Sequence, residues 1–149
     1  MRPAVVTITA LVFLLSFKSI SIAGDDEVTL FDDHGKASAY IALDDEMTIY
    51  LWSGKPVAYL NPDSSGGYHV YGFNGKHLGW FVSGVIRDHE GFASCAVKDR
   101  LQSTEYEPYK LYKQYKPYKS YKEYAPYRPT FSNAFGETPC RFLLADGGR

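Results

Sequence analysis

The chain has 149 residues, with 16 Lys/Arg against 17 Asp/Glu and a net charge of −1, a balance that points to no specific nucleic-acid partner. The charge is unevenly placed: residues 24–104 carry 12 Asp/Glu against 6 Lys/Arg, whereas residues 105–129 carry 6 Lys/Arg against 3 Asp/Glu. A basic arm thus follows an acidic domain, free to lie back on it or to reach another anionic surface.

Arg2, the 14-residue uncharged run Ala4 to Phe17, and Ser21-Ile22-Ala23 before Gly24 read as a secretory signal peptide over residues 1–23, cleaved after Ala23. The apolar run is shorter than the ~20 residues that span a bilayer. No cysteine follows it in a lipoprotein position, so no lipid anchor is expected. The reading is an exported protein, periplasmic or extracellular.

Four segments centred on Gly35, Gly54, Gly75 and Gly91 then align without gaps over 12 columns: Leu30–Ile41, Ile49–Leu60, Val70–Phe81 and Ile86–Val97. Each sets apolar runs on either side of a turn dipeptide, His34-Gly35, Ser53-Gly54, Asn74-Gly75 or Glu90-Gly91, which reads as a hairpin with a two-residue turn. On that turn Leu30 faces Ala39, Ile49 faces Ala58, Val70 faces Gly79 and Ile86 faces Cys95, a large residue against a small one each time. The pattern suits a crowded centre. Phe31, Tyr40, Tyr50, Trp52, Tyr59, Tyr71, Phe73 and Trp80 fall on the other face, packed between hairpins or, at Trp52 and Trp80, open to a ligand.

The stretches Tyr50-Leu51-Trp52-Ser53-Gly54-Lys55-Pro56, Gly75-Lys76-His77-Leu78-Gly79-Trp80-Phe81 and Val85-Ile86-Arg87-Asp88-His89-Glu90-Gly91 resemble the four-fold beta flower domain over residues 27–99. The resemblance implies a mainly β fold of four consecutive hairpins set like petals about a pseudo-four-fold axis. It implies no activity and no catalytic residues. The first petal departs most, with Asp32-Asp33 where the second has Leu51-Trp52, so its edge is expected to be solvated.

Beyond it, Tyr106, Tyr109, Tyr112, Tyr115, Tyr118, Tyr121, Tyr124 and Tyr127 recur every three residues, and proline recurs every nine at Pro108, Pro117 and Pro126. A helix would spread these tyrosines round its axis and a strand would alternate them. A three-residue, polyproline-II-like screw keeps them on one side, with Lys110, Lys113, Lys116, Lys119 and Lys122 as a second stripe. Eight free aromatic rings invite association, so the stripe is expected to be covered by the domain, another copy or a ligand. Residues 130–149 read as a terminal anchor.

Chemistry is sparse. Asp32-Asp33-His34 and Asp88-His89-Glu90 lack a metal spacing, His69 and His77 read as surface or packing residues, and no catalytic motif stands out, so no metal, cofactor or enzymatic activity is expected. Cys95 and Cys140 are the only cysteines. In an exported chain they favour a disulfide, although Cys95 also fits as a small buried residue in the column of Ala39, Ala58 and Gly79. The function expected is a non-enzymatic interaction module whose Tyr/Lys arm binds itself or an envelope or extracellular polymer. The alternative is a ligand-binding domain using its aromatic surface, with the arm as spacer.

Overall fold

The computed structural model describes residues 26–149; the expected signal peptide, residues 1–23, lies outside them. Eight short antiparallel strands form a closed barrel in chain order. They are β1 (Glu27–Phe31), β2 (Ala37–Ala42), β3 (Thr48–Leu51), β4 (Pro56–Pro62), β5 (Tyr68–Gly72), β6 (His77–Val82), β7 (Val85–Arg87) and β8 (Ala93–Ala96). Successive pairs make the four hairpins, and one residue pair, Phe31 with Ala96, closes β1 onto β8. Closure leaves no free sheet edge.

The pairs Leu30–Ala39, Ile49–Ala58, Val70–Gly79 and Ile86–Cys95 stand opposite each other as the alignment requires. The turn that sets them is different from the two-residue turn expected. At each tip the glycine N–H donates to the carbonyl three residues back, Asp32, Leu51, Gly72 or Asp88, and that residue's N–H donates to the residue after the glycine. This is a three-residue loop with glycine at positive φ, between 74 and 90°. A bulge then inserts one extra residue in the returning strand, Ser38, Val57, Leu78 or Ser94, and restores the register that the longer loop had shifted.

The bulges also aim side chains. Val57 and Leu78 are buried in the same cluster as Leu30, Ile49, Val70 and Ile86, and Cys140 and Leu144 of helix α1 (Cys140–Ala145) join it. The Ser94 hydroxyl donates to the Thr138 carbonyl. A short 3-10 turn, Asp146–Gly148, brings Gly147 against the backbone of Gly72. The C-terminal segment thus caps the barrel core, and Cys95 is bonded to Cys140 with 4.9 Å between their Cα atoms. That bond ties the end of the arm to the fourth petal.

Candidate functional site: the tyrosine girdle

Residues 103–132 form no helix or strand. Their backbone is nevertheless held in register. The N–H groups of Glu105, Gln114, Glu123 and Ser132 donate to the carbonyls of Gly35, Gly54, Gly75 and Gly91 at 2.8 to 2.9 Å. Those donors are nine residues apart, so one nonamer spans one petal and the arm passes all four tips in chain order. The carbonyls of Ser103, Tyr112, Tyr121 and Thr130 lie over the Cα atoms of the same glycines, where any Cβ would overlap them. Glycine therefore serves twice: it accepts positive φ in the turn and lets the arm approach.

The side chains of the arm sort by period. All eight tyrosines point outward, with relative exposures between 94 and 102%. The lysines point the other way, into the clefts between petals, where a ring from one petal meets a ring from the next. Tyr40 stacks on Tyr50 at 5.5 Å and Tyr59 on Tyr71 at 6.4 Å. Lys110 lies 4.4 Å from the Tyr40 ring centre and Lys119, nine residues on, 4.3 Å from that of Tyr59. Lys113 and Lys122 stand over Tyr50 and Tyr71 at 5.5 and 5.6 Å. Equivalent lysines thus meet equivalent tyrosines, with a cation over each ring.

The third cleft keeps this arrangement with its partners exchanged. Where the preceding clefts have a petal tyrosine, petal four has Arg87. Where the earlier nonamers have lysine, the arm has Phe131. The guanidinium lies 4.7 Å from the Phe131 ring centre and also donates to Ser132 O, Val82 O and Asn133 Oδ1.

Acidic residues of the barrel complete the grip. Lys110 and Lys113 share Glu27, Lys116 meets Asp45 at 2.7 Å, Lys119 meets Glu46 at 3.2 Å, and Arg128 pairs with Asp63. Burial works to raise the pKa of Glu27 and of Asp45, but the hydrogen bonds they accept, from Lys110 and Lys113 and from Lys116 and Tyr50 respectively, outweigh it and hold both below their usual range. Burial, with the nearby charges of Glu27 and Asp45, pushes the Tyr40 phenol up to about 12.

The expected second stripe beside the tyrosines is therefore corrected: Lys110, Lys113, Lys116, Lys119 and Lys122 are engaged by the protein itself. The basic arm lies on its own acidic domain, and the aromatic rings are left on the outside. The expectation that the domain would cover the tyrosines fails because the lysines make the better inward face. Four of them, all but Lys116, stand over rings, and four, all but Lys122, meet carboxylates. Trp80, offered as a ligand surface, is 1% exposed, packed against His77, His89 and Phe131. Trp52 is partly buried, its indole N–H donating to Pro108 O.

The acidic turn clusters are structural. Asp32 Oδ1 accepts from the N–H groups of His34 and Lys36, and Asp88 Oδ1 from those of Glu90 and Phe92. Among the described residues no group of three or more His, Cys, Asp or Glu is placed to hold a metal ion. What the sequence did not disclose is a line of imidazoles: His69 Nδ1 lies 3.0 Å from His77 Nε2, and His77 Nδ1 lies 2.9 Å from His89 Nε2. Burial, then the neighbouring His89 and His69, lower the pKa of His77 to about 4. Their spacing in sequence, 69, 77 and 89, shows no motif, because β-pairing and a turn bring them together. An open groove of about 710 Å³ lies between the first two petals and α1, lined by Trp52, Leu51, Ser38, Arg141, Phe142 and Arg149 among others.

The fold and its girdle define a closed four-petal β barrel bound round by its own arm. The family model described as 4-fold beta flower protein matches residues 28–144, and the chain belongs to that family. The match runs beyond the four petals through the arm and most of α1. No curated protein and no solved structure was found to match the chain. Among the described residues no helix is long and apolar enough to cross a membrane.

Proposed function

We propose that this protein is a non-enzymatic interaction module of the cell envelope or extracellular space, and that its tyrosine girdle is the surface by which copies associate. The observation that carries this reading is the near-complete exposure of eight phenol rings on an arm whose cations are turned inward. With four of its five lysines paired with carboxylates of the barrel, the arm keeps little net charge by which to attract an anionic polymer. What it offers is ring faces with a polar edge, suited to other rings or to sugars. Because the arm passes all four petal tips of a closed barrel, the rings project round its circumference. A flat or rigid ligand could touch only those on one side, whereas neighbouring copies can meet any part of it. The signal peptide read from the sequence and the disulfide fit an oxidising compartment outside the cytoplasm.

Light scattering coupled to size-exclusion chromatography tests the reading on the mature chain and on a variant with all eight arm tyrosines changed to serine. Association that survives in high salt and vanishes in the variant is expected. A wild-type monomer at all concentrations that is instead retained by a neutral polysaccharide through the same tyrosines would transfer the role to polymer attachment. The groove beside Trp52 favours a second reading, a small-ligand site of ordinary pocket size. A ligand that raises the melting temperature of the wild type and not of Trp52→Ala would support it.

A further inference from the structure

We propose that the girdle is a site of oxidative phenol coupling, through which associated copies become covalently joined by dityrosine links; this rests on the assembly reading above. The distribution of oxidisable side chains carries the inference. Among the described residues both cysteines are already spent in the Cys95–Cys140 disulfide and none is free. Met47 is packed against the core and Trp80 is 1% exposed, while Trp52 is partly covered under the arm. The phenols of Tyr40, Tyr50, Tyr59 and Tyr71 are buried in the clefts. Tyr68 and Met47 are half-buried, so an oxidant arriving from solvent meets chiefly the eight arm phenols, at 94 to 102% exposure. The lysine amines, which would add to a ring oxidised further to a quinone, are paired with carboxylates: Lys113 with Glu27, Lys116 with Asp45 and Lys119 with Glu46. A scaffold that shields most of its oxidisable groups thus displays one reactive group many times over.

The chemistry balances with hydrogen peroxide as oxidant and a haem peroxidase as its activator. Each of two phenols gives up one electron and one proton, leaving two phenoxyl radicals. These join by a new bond between ring carbons ortho to oxygen. The hydrogen displaced from each of those carbons moves to its oxygen and restores the phenol, and the peroxide is reduced to two waters. The girdle suits coupling between molecules because rings facing outward on one copy meet rings facing outward on the next.

The full mature chain is treated with hydrogen peroxide and a haem peroxidase, then followed by dityrosine fluorescence, by reducing denaturing gels and by mass spectrometry of linked peptides. A ladder of covalent oligomers with links confined to residues 106–127 is expected. A variant with all eight arm tyrosines changed to phenylalanine keeps the rings and should keep its melting temperature but lose the ladder, with its association compared with that of the wild type by light scattering. Exposed phenols couple in many proteins under enough oxidant, so protein recovered from the cells that make it is the deciding sample. Girdle dityrosine in that material is expected. Links mapping to Tyr40, Tyr50, Tyr59, Tyr68 or Tyr71, a ladder surviving in the phenylalanine variant, or native protein free of girdle dityrosine overturns the inference. Any of these alongside association that depends on the tyrosines refutes the coupling alone and leaves the assembly reading intact.

Discussion

Gly54 and Gly66 share nearly the same backbone, φ 90 and 98°, but not the same surroundings. A Cβ at Gly66 meets nothing within 4 Å, whereas one at Gly54 overlaps the Tyr112 carbonyl of the arm. Gly66→Ala is expected to cost only the positive-φ strain, about 1–2 kcal/mol. Gly54→Ala adds displacement of the arm and loss of the Gln114 N–H bond to Gly54, so its cost should exceed that of Gly66→Ala by about 1 kcal/mol or more. Urea unfolding measures both, and equal losses would mean that the arm adds nothing at this tip. The exchanged cleft offers a second comparison. Phe131→Lys alone sets a cation against Arg87 and Arg128, and Arg87→Tyr alone removes one of the two cations over Phe131 together with three hydrogen bonds. Combined, the two changes rebuild the Lys-over-Tyr pairing seen at Lys113 and Tyr50. The double variant should recover about 1 kcal/mol relative to the sum of the singles, whereas strict additivity would show that the pairing carries no energy of its own.

Between elements, the line of imidazoles joins petals three and four, and it makes stability depend on pH. His77 has a pKa of about 4 in the folded protein against a reference of 6.5, so below pH 6.5 the unfolded chain takes up a proton that the folded one refuses. Stability from this group is full above pH 6.5 and falls as pH drops toward 4, by up to about 3 kcal/mol. The His77→Gln variant should flatten the dependence of the urea midpoint in that window. An unchanged slope would place the effect elsewhere; the carboxylates Glu27, Asp45 and Asp63, whose pKa values are lowered, begin to contribute only near the foot of that window, as pH nears their unfolded values, and dominate below it. The sequence disclosed the four hairpins and their facing pairs because glycine marks every tip and large–small pairing marks every centre. It concealed that a longer loop and a bulge cancel, since one residue gained in the loop and one in the strand leave Leu30 opposite Ala39 either way. The arm's period of three was equally legible. Which stripe faces inward was not, because that depends on acids such as Glu27 and Asp45, which reach the lysines only after the barrel closes.

At the scale of the molecule the two periods of the arm separate into two jobs: three residues choose the face and nine choose the petal. Nine residues reach only about 32 Å even at full extension. An arm shortened by one nonamer therefore has no slack with which to pass an extra petal. Deleting residues 115–123 joins Gln114 to Tyr124 and keeps every tyrosine, lysine and proline in phase. The arm can then hold the first two petals or deliver Cys140 to Cys95, but not both. Thiol titration of the denatured, unreduced protein should find two free thiols, or else the arm should exchange its amide hydrogens freely up to residue 114. Duplicating the same nonamer adds only slack, whose closure cost grows slowly with length, and should leave the disulfide formed. Deleting Tyr118, Lys119 and Ser120 distinguishes the periods directly. It preserves the outward stripe but moves Glu123 off Gly75, so stability should fall although every tyrosine still faces solvent. If this three-residue deletion matched the wild type, the nonamer would be a by-product of the stripe rather than the element that fits the arm to four petals.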